Sequence, residues 1–276
     1  MTDEEKSSSV TDIAKAIGEI VDKVPVYQDA VQPAAKEIGK GLQVVAKAVN
    51  AALIPVEGLI WGVEQIRDFV RDRVAKKLEA VPPEDIQQPK AHIAVPAIDA
   101  LRYTGTEDGL SELYANLLAT SMDRATAYRA HPGFVDMIKN MCPDEAKIMK
   151  FFAKTPFSAL VNIKSVSNAD SSFQVAHRHV SLIGIDAQCQ FPTLTANYLD
   201  NLERLGLVKV ETMLRMQSDN LYSRIEEHPQ IKEIIEELGE IEGRRVEVEK
   251  IRLSVTDLGK QFIRACVIDK EEQPRS

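Results

Sequence analysis

The chain has 276 residues, of which 44% are hydrophobic and 5% aromatic, with a formal net charge of −8 and a pI near 5.3. This length allows one large domain or two modest ones around a core of Leu, Ile, Val and Ala, and the acid excess argues against a general phosphate-backbone binder, which needs a basic footprint. The 3 cysteines, Cys142, Cys189 and Cys266, form no Cys-x-x-Cys pair, which argues against a zinc ribbon or redox dithiol and fits a reducing compartment.

The N-terminus, Met1-Thr2-Asp3-Glu4-Glu5-Lys6, has neither the apolar run of a signal peptide nor the basic pattern of a transit peptide. A cytoplasmic location is expected. Residues 1–9 read as a disordered tail and 10–80 as an N-terminal helical region. Val10, Ile13, Ile17, Ile20, Val21 and Val24 recur at three and four residues, giving a helix that Pro25 ends. A second helical pattern starts at Pro33, runs through Leu42, Val45, Val49 and Leu53, is interrupted at Pro55 and resumes from Val56 to Leu78. Its most apolar part, Gly39 to Ile66, holds Gly58 and Gly62, whose spacing permits close helix contact, and Trp61, which suits a membrane interface. Val49, Gly58, Ile60, Trp61 and Gly62 are therefore candidate membrane or helix-contact residues. Lys40, Lys47, Glu57 and Glu64 break the run, and a spanning helix needs about 20 apolar residues. The expectation is conditional contact, peripheral to the inner membrane.

Residues 81–89, with Pro82, Pro83 and Pro89, read as a linker. A central helical domain follows over 90–155, with helices near 96–103, 107–124, 132–141 and 143–154. Pro96, Pro132 and Pro143 are taken as helix starts, and Asp144 and Glu145 fall in a first turn where the helix dipole favours acids. In the second of these helices Leu110, Leu113, Leu117, Leu118 and Met122 lie at helical spacing, as on an amphipathic helix.

The pattern changes after Pro156. Phe173 to Ile185 is compatible with a strand or a short helix. Pro192 to Leu205 reads as a helix with Gly206 as its left-handed cap. Leu207 to Glu211 and Val246 to Leu253 alternate as two partner strands, and Thr256 to Cys266 as a closing helix, with 269–276 as a tail. The order helix, strand, insertion, strand, helix resembles a winged helix, so 156–268 is expected to be a small winged-helix-like module. In a DNA-binding version Arg204, Lys209, Arg244 and Arg245 would be the nucleic-acid contacts. The helix before the first wing strand, however, carries Asp200 and Glu203, which favours a structural or protein-binding role.

The insertion 219–242 sets eight acids against Arg224 and Lys232, a charge balance that repels phosphate. Leu221, Ile231, Ile234 and Leu238 belong to its helix-spaced apolar set. They are candidates for self-association; the alternative is a helix packed on its own domain. His177 and His179 would share one face of a strand, but no third metal ligand is evident. His131, ahead of Pro132, is expected to cap or pack at a helix start. No phosphate loop, nucleophile elbow or His-Glu-x-x-His motif occurs, so no catalytic, cofactor-binding or metal set is assigned and no small-molecule substrate is evident.

Over roughly residues 30–200 the chain resembles the abortive-infection alpha (Abi-alpha) family of bacterial proteins. The resemblance rests on Pro33-Ala34-Ala35-Lys36-Glu37-Ile38-Gly39, Pro82-Pro83-Glu84-Asp85-Ile86, Ile93-Ala94-Val95-Pro96, Tyr114-Ala115-Asn116-Leu117-Leu118, His131-Pro132-Gly133-Phe134-Val135 and Pro143-Asp144-Glu145-Ala146. It implies a helical protein of phage defence, without catalytic residues to carry over, and leaves the winged-helix-like end outside the best-matching part. The expected fold is mainly α, with multi-helix N-terminal and central regions followed by a small α+β module. The expected function is a non-enzymatic effector or adaptor that acts through a protein partner or a homo-oligomer. The alternative is a winged-helix transcriptional regulator.

Overall fold

The computed structural model describes residues 63–270, and helices and strands are numbered within that range. The chain divides into two units. Of the described residues, one takes 63–106, 114–135 and 269–270; the other takes 107–113 and 136–268.

The first unit is helical. Helix α1 (Val63–Phe69) runs through a π-helical turn, Val70–Val74, into Ala75–Lys77, and the apolar residues Ile66, Val70, Val74 and Leu78 are buried at the spacing that the sequence pattern gives. The stretch 81–89, expected as a linker, is packed down. Val81 and Ile86 are buried, Pro83–Asp85 form a 3-10 turn, and Ile86 bridges Asp123. Gln87 N–H donates to the Met122 carbonyl (2.8 Å) and Arg124 N–H to that of Asp85 (2.8 Å). Helix α2 (Ala91–Thr104) carries Pro96 inside it, so Pro96 is not a helix start. The proline removes the donor that the His92 carbonyl would have received, and His92 is exposed, where water can replace it.

Helix α3 (Asp108–Met122) is buried on every side from Leu113 to Met122. It is a core helix rather than the amphipathic one expected. Its hydroxyls and neighbouring polar groups are accommodated because they bond locally: Ser121 Oγ donates to the Leu118 carbonyl (2.7 Å), Thr126 Oγ1 to that of Thr120 (3.1 Å), and Gln87 Nε2 to that of Ser121 (3.3 Å). Asp123, fully buried just past its end, forms an ion pair with Lys270 (2.7 Å), whose side chain is 2% exposed. Lys270 Nζ also donates to Thr126 Oγ1 (2.6 Å) and the adjacent Asp269 meets Lys77 (3.0 Å). Where the sequence suggested a free tail, Asp269 and Lys270 strap the returning chain to this unit.

The second unit is α+β. Helices α4 (Gly133–Lys139, which enters from the first unit) and α5 (Pro143–Phe152) lead into strand β1 (Phe157–Ser167) and strand β2 (Phe173–Val180). A short helix α6 (Ile183–Asp186) and a 3-10 turn, Pro192–Leu194, precede helix α7 (Thr195–Arg204). Then come strand β3 (Val208–Glu211), helices α8 (Asn220–Glu226) and α9 (Pro229–Gly239), strand β4 (Arg244–Val255) and helix α10 (Asp257–Phe262), which ends in a π-helical turn, Ile263–Val267. The sheet is antiparallel in the order β2-β1-β4-β3. Strand β1 pairs with β4 without interruption from Phe157↔Ser254 to Ser167↔Arg244.

The elements read from the sequence around the expected wing are present. Strands β3 and β4 pair from Val208↔Val255 to Glu211↔Arg252. Gly206 has φ +74, and a Schellman cap closes α7: Leu207 N–H donates to the Leu202 carbonyl (3.0 Å) and Gly206 N–H to that of Glu203 (2.8 Å). Thr256 Oγ1 caps α10 by accepting from Gly259 N–H (2.9 Å). A Cβ at Gly259 would lie 2.0 Å from the Leu207 carbonyl oxygen, so only glycine fits there. The sequence reading did not contain β1, and the segment left open between strand and helix is both: β2 followed by α6.

Replacing Lys270 with Met should destabilise the protein by about 3–5 kcal/mol, because Asp123 would keep its charge in a site without solvent. Chemical denaturation measures this. The double change Asp123→Asn with Lys270→Met should recover much of the loss.

Candidate functional site

The candidate contact residues Val49, Gly58, Ile60, Trp61 and Gly62 lie outside the described residues. Among the described residues no helix is long and apolar enough to cross a membrane, and no group of three or more His, Cys, Asp or Glu could hold a metal ion. The four cations of the nucleic-acid alternative lie at the end of α7, on β3 and at the start of β4. Arg204 bonds Asn201 Oδ1 (2.6 Å), Arg244 bonds the Ser165 hydroxyl (2.6 Å) and carbonyl (2.7 Å), Arg245 pairs with Glu247 (2.8 Å), and Lys209 is exposed on β3.

The acidic insertion forms α8 and α9. Tyr222, Ile225 and Ile231 are buried against Ala159, Val161 and Ile163 of β1, and Ile234, Ile235 and Leu238 pack against the same cluster. The stripe assigned to self-association is thus occupied by the chain's own sheet at Ile231, Ile234 and Leu238, while Leu221 is 39% exposed. The premise of an unpartnered apolar stripe does not hold at three of those four positions. The acids of α9 point the other way, toward water.

Three of the sequence words that carry the family resemblance do structural work. In His131-Pro132-Gly133-Phe134-Val135, His131 Nδ1 accepts from Gly133 N–H (3.1 Å) and its ring packs tilted, centroids 5.6 Å apart, against the fully buried Phe134, the capping and packing expected of it. Tyr114 to Leu118 sit in the buried helix α3. In Pro143-Asp144-Glu145, Glu145 Oε2 accepts from Cys142 N–H (2.7 Å) in a capping box, and its Oε1 accepts from Asn201 Nδ2 (2.8 Å). Asp144 accepts from Gln190 N–H (2.8 Å), Phe191 N–H (2.9 Å), Tyr198 OH (3.2 Å) and Lys147 Nζ (2.8 Å). One carboxylate thereby fastens α5 to the loop before α7 and to α7 itself. Burial alone would raise the Asp144 carboxyl, but the Lys147 ammonium and the two backbone N–H groups outweigh it and hold it down to about 2. Burial, then the Asp144 charge, pushes the Tyr198 hydroxyl up to about 12 and the Cys189 thiol up to about 11. Cys142 is raised chiefly by burial. Neither thiol is shifted toward its thiolate.

A second polar assembly lies on β2. The register steps from Ile163↔His177 to Val161↔Val180, so Arg178 and His179 together oppose Asn162 as a bulge. His179 takes φ +55 there. The bulge interrupts the alternation that would have put His177 and His179 on one face. Asn162 Oδ1 accepts from His179 N–H (3.0 Å), and Asn162 Nδ2 donates to Glu249 (2.8 Å), which also meets Lys164 Nζ (2.6 Å). Asp200 on α7 meets His179 Nδ1 (3.2 Å) and the Arg178 guanidinium. Asp200, counted in the sequence against DNA reading, is one end of this network.

A half-open cleft of about 330 Å³ lies between α6, α8 and the start of β1. Phe151, Leu182, Ile183, Met216 and Ile225 supply much of an apolar lining, and Asp186 and Arg224 its charged part. Arg224 holds Asp186 bidentately from α8 to α6 (2.8 and 2.6 Å). No sequence pattern announces this cleft, because its walls come from five separate segments.

The geometry defines an α+β protein with a helical unit and a unit built on a four-stranded antiparallel sheet. The chain belongs to the abortive infection alpha family, whose model matches residues 62–266. The match therefore includes the C-terminal sheet and helices, which the resemblance read from the sequence placed outside it. A solved structure, titled as that of an uncharacterized protein from the hydrocarbon-degrading marine bacterium Alcanivorax borkumensis SK2, is similar over 50% of this chain and 92% of its own, at 22% identity and a TM-score of 0.35. No curated protein matches the chain.

Asp144 should make stability depend on acid. Its folded pKa of about 2 lies below the unfolded value near 3.8, so its contribution, about 2 kcal/mol, is complete above the unfolded value and lost as pH falls through about 2. Denaturation of Asp144→Asn should show lower stability than the parent at pH 7, and the gap should narrow between about pH 4 and pH 2.

Proposed function

We propose that this chain is a non-enzymatic effector or adaptor of abortive infection that acts by contacting another protein through its sheet-containing unit. Membership of the family ties the chain to phage defence. The observation that favours a contact role is the loop between β3 and α8, where Met213 is 93% and Leu214 47% exposed. Two adjacent large apolar side chains on a loop held by a rigid sheet are suited to an anchoring role, since loops on a fixed scaffold present binding residues and methionine adapts to irregular surfaces. The partner is expected to be a protein. Self-association remains a form of this proposal, with Leu221 as the member of the original stripe still at the surface.

The winged-helix regulator is the weaker reading. Strands β3 and β4 pair antiparallel, as the strands of a wing would, but Asp200 and Glu203 sit on the preceding helix and three of the four cations are engaged within the unit. The conditional membrane contact, peripheral and from a cytoplasmic protein, rests on the Gly39 to Ile66 pattern alone.

The test is protection against phage in bacteria expressing the chain. Changing Met213 and Leu214 together to Ser should weaken the contact by about 2 kcal/mol or more if they anchor it and abolish protection, with thermal stability unchanged. A double variant that protects as well as the parent would refute the contact role of this loop.

A further inference from the structure

We infer that the cleft between α6, α8 and β1 is a binding site for a small aliphatic carboxylate. Its volume of about 330 Å³ is at the lower end of the range of ligand pockets, about 300–1,000 Å³, so the ligand is small. Its lining is dominated by Leu182, Ile183, Met216, Leu221 and Ile225 beside the ring of Phe151, so the body of the ligand is apolar, and the aliphatic majority fits an alkyl chain. Such a surface is stabilised by filling, because each apolar atom removed from water there contributes about 25 cal/mol per Å².

The charged pair sets the head group. Asp186 on α6 and Arg224 on α8 both line the cleft. The guanidinium meets Asp186 end-on, through its two terminal nitrogens. An arginine has five N–H donors, so this grip leaves the Nε–H side available. The Arg224 side chain is 56% exposed and Asp186 26% exposed, so the donor is the more accessible member of the pair. A carboxylate can take the Nε–H side of the fork while Asp186 keeps the end-on position, and the alkyl chain then lies along the apolar lining. A cationic head group would have to compete with Arg224 for Asp186, whose two carboxylate oxygens are already held and which is the less exposed partner.

The probe is decanoate, titrated into the full chain by calorimetry, with decanol, decylammonium and phosphatidylglycerol vesicles as comparisons. Saturable 1:1 binding of decanoate is expected, at least tenfold tighter than decylammonium. Arg224→Gln should weaken decanoate at least tenfold and leave decanol within about twofold. Leu221→Trp, at the exposed rim, should block decanoate and decanol alike, with circular dichroism confirming that both variants are folded. The inference is overturned if decanoate fails to saturate, if decylammonium binds equally well, if Leu221→Trp leaves binding intact, or if Arg224→Gln weakens decanol as much as decanoate. Binding to vesicles with none to free decanoate would also overturn it, in favour of a lipid surface. Binding is scored on purified protein, so its failure leaves the phage-protection result untouched.

Discussion

The sheet-containing unit depends on one constraint: β1 must be covered on both faces and paired along both edges. From Ser158 to Ile163 its residues are nearly all buried. Its odd-numbered residues Ala159, Val161 and Ile163 receive α8 and α9, and Asn162 on the opposite parity holds the β2 bulge. β4 pairs with its whole length. An extended strand satisfied in all four directions cannot shift by one residue without exchanging its two faces. The placement of the acidic helices, the bulge and the apolar side of the cleft all follow from that register.

This explains the charge pattern of the insertion. An acidic helix can lie on a neutral sheet face because its acids and its apolar residues occupy opposite sides, with Lys250 of β4 meeting Asp219 (3.5 Å) and Glu226 (3.8 Å) at its margin. The apolar stripe that looks available in sequence is the inner side of an intramolecular contact. Hydrophobic periodicity states that a face is buried; it does not state against what. The same ambiguity applies to the polar residues of the family words, of which His131, Asp144 and Glu145 close helix ends and fasten loops.

What was legible in the sequence was local. Gly206, Thr256 and the Pro143-Asp144-Glu145 turn mark their helix ends because capping uses residues within one turn of each other. The β3–β4 partnership was legible from alternation alone. Strand β1 carries a comparable signal, with Phe157, Ala159, Val161 and Ile163 alternating after Pro156 and a turn at Asn168 to Ser172, yet its interspersed Ser, Asn and Lys hid it. Pro96 misled because a proline that fits helical φ can sit inside a helix when the orphaned carbonyl reaches water. The distant partners of Asp144 and of Asp123 were beyond reach: they lie 46 to 54 and 147 residues further on, and a single sequence does not show which distant groups meet.

The buried strap at Lys270 also has a consequence for synthesis. The chain leaves the helical unit after Val135 and returns to it only at Asp269. On the ribosome, Asp123 therefore emerges long before its counter-ion, and the whole intervening unit is made in between. The helical unit cannot reach its final state until that excursion is complete. A nascent chain stalled between residues 123 and 270 lacks the ammonium group that meets this buried carboxylate. Synthesis through residue 270 thus becomes a requirement for the Asp123–Lys270 ion pair to close the helical unit.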